Sequence, residues 1–283
     1  MTQLEKKSII KDDSIKVLFL GAVHGNEKCG TMAIRKVINM FEIGDLALNK
    51  GSLMFMPICN PKAYEENTRD VGINLNRVID LYKEPKVYEE EIANQIAEEI
   101  AKADYVVDLH SSYTDDAPFA FLDYDSEENR MLVEATLAHY VICGFPQLYK
   151  ASGLVEMSTG TFANTKTNSH STTVECGNHY KEESGQFATQ VILNTLKQLG
   201  LINGNVIPDN EAIYINVEKI VLKGSEGSLM KEYQNFDAIN EGEVIAEYKD
   251  GSKIASDKDC IIILPNVDAK IGAEWFYLGS VSK

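Results

Sequence analysis

The sequence predicts an α/β protein, with a mixed, mostly parallel sheet flanked by helices and a smaller C-terminal all-β domain. Three observations carry that expectation. Apolar, strand-like runs at 17–20, 52–58, 105–109 and 172–177 end on Gly, Asn or a polar donor. Stretches of helical period separate them as far as about residue 203. From Asn205 onward short β-rich runs follow one another between Gly, Asn and Asp turns, with no helical period. The chain accordingly divides into an α/β domain, 1–203, and a β-rich domain, 204–283.

The elements follow in order. The first apolar strand, 17–20, stops at Gly21 and Ala22, and Met32, Ala33, Val37 and Phe41 then recur with helical spacing up to Gly44. Ser52 to Ile58 reads as the second strand, closed by the turn dipeptide Asn60-Pro61. A loop then carries Arg69, Asn74, Asn76 and Arg77, so two of the chain's four arginines fall within nine positions. Three glutamates, Glu89 to Glu91, open a helix whose Ile92, Ile96 and Ile100 share one face, the acidic start suiting the helix dipole. Residues 105–110 form a strand ending in His110, and 132–141 reads as a helix. The Ser/Thr/Asn-rich span 158–171 is expected to be a loop over the site. A short buried strand, 172–177, then carries Glu175, and Ala188, Val191, Ile192, Leu196 and Leu199 line one side of the last helix. In the tail, strands are expected at 213–217, 243–248, 260–264 and 275–278.

Composition excludes several classes of partner. A chain of 283 residues, 44% hydrophobic, can bury a full core. Its 27 Lys and Arg against 43 Asp and Glu give a net charge of -16, which repels nucleic-acid phosphates and anionic lipid surfaces. No apolar run approaches the roughly 20 residues that span a bilayer, and the first residues lack the apolar core of a signal peptide. Five scattered cysteines without a C-x-x-C pair fit reduced thiols. A cytoplasmic location is the expectation.

The chemistry is concentrated at the strand ends. His24 and Glu27 lie three residues apart just beyond the first strand, where open α/β sheets bind ligands, and they are two of the three donors a catalytic zinc site needs. His110, at the end of another strand, is the third. Side chains alternate along a strand, so Asp108 shares the face of His110 and either orients it or bonds locally. One zinc held by three protein donors keeps a position for water and lowers its pKa from about 15.7 to about 7. Glu175, if it faces that water, can take its proton and deliver it to a leaving amine. Arg69 would stabilise the oxyanion, and Asn76 with the planar fork of Arg77 suits a substrate carboxylate.

The order His24-x-x-Glu27, Arg69, Asn76-Arg77, His110 after Asp108-Leu109, and Glu175 resembles the zinc carboxypeptidase superfamily. More narrowly it resembles the succinylglutamate desuccinylase/aspartoacylase family, over about residues 16–203 and, in the tail, that family's second domain. The resemblance implies zinc on His24, Glu27 and His110, proton transfer by Glu175, carbonyl polarisation by Arg69, and a carboxylate grip by Asn76 and Arg77 on a small anionic N-acyl amino acid. Two positions depart from aspartoacylase. No Arg lies between Ala151 and Glu175 to bind a second carboxylate, Lys166 being the nearest cation. Lys270 stands in the region where that enzyme has a substrate-contacting Tyr.

Each motif has a bland counterpart. His-x-x-Glu arises often by chance and gains meaning only with His110, the Arg-Asn cluster and Glu175. Glu175 alone fits a buried structural carboxylate, Arg69 and Arg77 fit surface ion pairs, and His139, His170 and His179 fit packed or surface residues. Cys176 as a nucleophile would need its own base. A zinc deacylase of N-acyl amino acids is the preferred reading, against a carboxypeptidase for short peptides or a non-catalytic zinc-stabilised binder of carboxylates. The sequence leaves open whether the β tail closes the site within one chain or against a neighbour in a homo-oligomer.

Overall fold

The computed structural model describes residues 2–114, 117–154, 157–207 and 211–282. Its strands are β1 (Lys7–Ile10), β2 (Lys16–Gly21), β3 (Ser52–Met56), β4 (Tyr105–Ser112), β5 (Phe119–Leu122), β6 (Tyr140–Cys143), β7 (His170–Asn178) and β8 (Ile213–Leu222). They continue as β9 (Gly227–Leu229), β10 (Ala238–Ile239), β11 (Val244–Tyr248), β12 (Lys253–Ala255), β13 (Cys260–Ile263) and β14 (Glu274–Val281). The helices are α1 (Cys29–Glu42), α2 (Pro61–Glu66), α3 (Tyr88–Ile100), α4 (Glu127–Thr136), α5 (Phe145–Ala151), α6 (Thr159–Lys166) and α7 (Glu182–Gln198).

Eleven strands form one sheet in the order β1-β3-β2-β4-β7-β5-β6-β8-β14-β13-β10. The pairs β3–β2, β2–β4, β4–β7, β5–β6 and β6–β8 are parallel, and the remainder antiparallel. Strands β9, β11 and β12 make a small separate sheet in the C-terminal part. The mixed, mostly parallel α/β sheet with an antiparallel tail is therefore the architecture that the alternation of runs predicts.

Strand alternation decides which side each residue serves. Val17, Phe19, Val107, Leu109 and Val174 turn to one face, under α1 and α7, with Ala33, Val37, Val191 and Ile192. Leu18, Leu20 and Val106 turn to the other, under α3 and α6, with Ile92, Ile96, Ile100 and Phe162. Burial on both faces makes these strands apolar throughout, so a polar residue inside one stands out. Asp108 and His110 fall in register on the α3–α6 face. No helix among the described residues is long and apolar enough to cross a membrane.

Several elements differ from the expectation. The stretch 132–141 is not one helix: α4 begins earlier, capped by the Ser126 side chain, and closes at Leu137 in a left-handed conformation. The next residues, with β-branched Val141 and Ile142, join the sheet as β6. Part of the span 158–171 is helix α6 rather than loop, because the Ser158 side chain caps it on the Thr161 N–H and the polar side chains of Asn164, Thr165 and Thr167 bond back to Gly160, Thr161 and Ala163 carbonyls. Pro61 opens α2 where a loop was expected, with Asn60 accepting from the Ala63 N–H.

Candidate active site

The site lies at the carboxyl edge of β2, β4 and β7. The chain leaves β2 through Ala22, at φ 49°, and the following loop holds His24 and Glu27 before α1. Gly25, between them, has no space for a side chain: a Cβ there would stand 2.0 Å from the Ala63 carbonyl carbon. Its N–H donates to the Arg69 carbonyl, 3.2 Å, tying this loop to the next. On β4 and β7, His110 and Glu175 are direct partners across the parallel pair.

His24, Glu27 and His110 are all buried, and one donor atom from each lies within 4.8 Å of the others. The Glu27 carboxylate stands 3.0 Å from His110 Nδ1 and accepts from the Ser111 N–H, 3.1 Å. His110 Nε2 faces Asp108 Oδ2 at 2.9 Å, and Thr159 Oγ1 donates to that same oxygen, 2.6 Å. Of the two readings of Asp108, the contact with His110 is the one realised, and it fixes the ring so that Nδ1 faces Glu27.

The donor set fits zinc. It offers two imidazoles and a carboxylate, the donor types of catalytic zinc sites. Arg69 already reaches it with a cation, Nη1 donating to Glu27 and Nη2 to His24 Nε2, both at 2.8 Å. His24 Nδ1 is buried without a hydrogen bond among the described residues, and Asp70 Oδ1 stands 3.4 Å away.

Charges in the cluster oppose one another. Burial alone would raise the Glu27 carboxyl, but the His24 and His110 imidazoles and the Arg69 guanidinium outweigh it and hold Glu27 at about 2. Burial, followed by the neighbouring Glu27 charge, pushes Glu175 up to about 7. Burial and Arg69 hold His24 well below the usual imidazole range. His110 goes the other way, because Asp108 and Glu27 outweigh its burial. Glu175 Oε2 has no hydrogen-bond partner among the described residues. A carboxyl poised near neutrality, beside a metal-binding set, can both accept and return a proton.

A cavity of about 120 Å³ opens here, lined by His24, His110 and Glu175 on one side and Arg69, Asn76, Arg77, Tyr149 and Tyr277 on another. Asn76 opens this wall from a 3₁₀ turn, Leu75–Arg77. Its Oδ1 accepts from the Thr159 N–H, 3.1 Å, which leaves the amide NH₂ as the other end. Arg77 donates to the Tyr149 hydroxyl, 3.2 Å, and that hydroxyl in turn meets Glu274 at 2.9 Å and Tyr277 at 2.7 Å.

Three residues named from the sequence fall elsewhere. Asn74 caps the 3₁₀ turn by accepting from the Asn76 N–H, 2.9 Å, and is not among the lining residues. Lys166 is exposed at the far end of α6, seven residues on from Thr159, or about 10 Å along the axis. Lys270 is exposed in the turn before β14, while Tyr277, seven residues later, lines the cavity. Tyr149, Tyr277, Phe121, Phe145, Asp123 and Thr159 carry no motif. The one local signal was a polar or aromatic residue next to an apolar strand, too common to single them out.

The family model for the succinylglutamate desuccinylase/aspartoacylase catalytic domain matches residues 13–199. No curated protein matches the chain. Among solved structures, a succinylglutamate desuccinylase/aspartoacylase from Rhodobacter sphaeroides is 17% identical with TM-score 0.79, covering 100% of this chain and 90% of its own. A succinylglutamate desuccinylase from Vibrio parahaemolyticus is 16% identical with TM-score 0.78, over 98% and 86%. A product-bound ectoine utilization protein from Ruegeria pomeroyi is 20% identical with TM-score 0.76, over 97% and 88%. At these identities the likeness is one of fold.

Proposed function

Since the chain belongs to the succinylglutamate desuccinylase/aspartoacylase family, we propose that it is a zinc-dependent hydrolase cleaving the amide bond of small N-acyl amino acids. The observation that carries this reading is the convergence of His24, Glu27 and His110 beside Glu175, the strand partner of His110. His24, Glu27 and His110 would hold one zinc. When bound, that ion would supply Lewis-acid polarisation of the amide carbonyl and a lower pKa for the attacking water.

The chain's own residues do the rest. Glu175 takes a proton from the attacking water as its oxygen bonds to the amide carbon. It then gives that proton to the nitrogen as the C–N bond breaks, releasing a carboxylic acid and an amino acid. Arg69 places its charge beside the carbonyl oxygen. Arg77 and the Asn76 amide hold the amino-acid carboxylate. Asp108, itself fixed by Thr159, keeps the His110 ring in place. The position of Glu175 argues against a non-catalytic binder, which needs no base there. Five free cysteines support a cytoplasmic location.

Metal analysis of the purified protein followed by turnover of N-acetyl and N-succinyl amino acids and short peptides tests the proposal. One zinc per chain and preference for an N-acyl amino acid are expected. Lack of bound zinc removes the metal assignment, and preference for peptide carboxyl ends makes the protein a carboxypeptidase.

A further inference from the structure

The first residue of α6 stands behind both walls of the cavity. The first N–H groups of a helix have no carbonyl within the helix to bond to, so they are satisfied from outside it. In α6 the Thr161 N–H goes to the Ser158 hydroxyl, and the Thr159 N–H goes to Asn76 Oδ1, 3.1 Å. Met157, just before the helix, accepts from the Ile79 N–H, 2.9 Å, so the chain that follows Arg77 is tied to the same point. Phe162 and Ala163 pack with Ile92 and Ile96 and anchor the helix on α3.

Thr159 has a second polar group, and it faces the metal-binding side. Its hydroxyl donates to Asp108 Oδ2, 2.6 Å, the oxygen that stands 2.9 Å from His110 Nε2. Thr159 and Asp108 are both 0% exposed, so bulk water does not stand in for that contact. Asp108 Oδ1 has no hydrogen-bond partner among the described residues. The carboxylate is therefore held through one oxygen, by the imidazole and by the hydroxyl. Without the hydroxyl it is a buried acid that has lost one of the two contacts fixing its orientation. The direction in which His110 Nδ1 presents its lone pair is in turn set by the bond its other nitrogen makes.

Resting on the deacylase reading, we propose that Thr159 is a positioning residue for both halves of the site, its two groups acting separately. The hydroxyl holds Asp108, and through it His110, in the metal-binding orientation. The backbone N–H keeps the Asn76 amide turned so that its NH₂ meets the substrate carboxylate. Only proline would remove that N–H, so any other substitution at Thr159 acts on metal binding and spares the carboxylate grip.

The test measures zinc affinity by competition with a chelator, and KM of the zinc-saturated enzyme on the best substrate among N-acetyl and N-succinyl amino acids. It compares wild type with Thr159→Val, Thr159→Ala and Thr159→Ser. Val is nearly isosteric with Thr, and Ala makes the same deletion should Val disturb folding. Loss of the hydroxyl should weaken zinc binding by roughly ten-fold or more, the usual effect of removing a group behind a metal ligand, while KM stays within about two-fold. Thr159→Ser should restore the affinity. In an Asp108→Ala background Thr159→Val should cost little further zinc affinity, because the group it acts through is gone, whereas a merely structural role would give additive losses. Unchanged zinc affinity in Val and Ala overturns the inference, as do failure of Ser to rescue, additive losses with Asp108→Ala, or a KM that rises as far as zinc affinity falls. Each of these leaves the deacylase reading standing. Wild-type protein that binds no zinc, or turns over none of the compounds, overturns both.

Discussion

On one side of the cavity, His24, Glu27 and His110 are 1–3% exposed, and each is delivered by a strand or the first residues beyond it. On the other, the Arg77 side chain is 31% exposed, and the residues around it come from a loop, from α5 and from β14. The first set is held at the edge of the central sheet and is buried. The second is assembled from segments 72 and 125 residues apart, joined through one tyrosine hydroxyl. Chemistry that needs fixed distances sits on the rigid side, and recognition, which differs from one substrate to the next, sits on the side built from separable parts.

That contrast can be broken at three points. Glu175→Gln should give the largest effect, lowering kcat by about 10²- to 10⁴-fold while bound zinc, measured by elemental analysis, stays unchanged. Full turnover in this variant would remove the proton shuttle from the rigid wall. Arg77→Ala should act mainly on KM, raising it roughly 10- to 100-fold, the loss of a charged hydrogen bond of about 1.5–3 kcal/mol. Arg77→Lys should recover only part of that, because an ammonium lacks the fork. A kcat effect as large as that of Glu175→Gln would show that the two walls are not separable. The smallest effect belongs to Lys166→Ala: at an exposed helix end its kinetic constants should stay within about two-fold, and a larger rise in KM would return Lys166 to the substrate.

The same contrast explains what the sequence made legible. His110 and Glu175 interrupt apolar strands and His24 and Glu27 follow one directly, so a local reading finds them and the parallel register of β4 and β7 then brings two of them together. Arg69 and Arg77 stood out because arginine is rare in this chain. Tyr149 and Tyr277 touch across 128 positions, a meeting that depends on β14 joining β8 in the main sheet. No local pattern encodes it. Helix α6 hid for a different reason: its Ser, Thr and Asn content reads as loop, yet those side chains are satisfied by the helix's own carbonyls. Lys166 drew attention by charge alone, and only the direction of α6 shows it pointing elsewhere.

The pairing of β6 with β8 has a consequence for how the chain can be divided. Composition suggests a cut near residue 203, but β8 hydrogen-bonds along β6 from Ile213 to Asn216. A fragment ending before β8 would carry an unpaired sheet margin with Val141 and Ile142 along it, a template for sticking to other copies. It would also lose Tyr277 from the cavity. The smallest autonomous unit is therefore larger than the stretch that contains the reacting groups, and the tail is as much a hem for the sheet as a cover for the pocket.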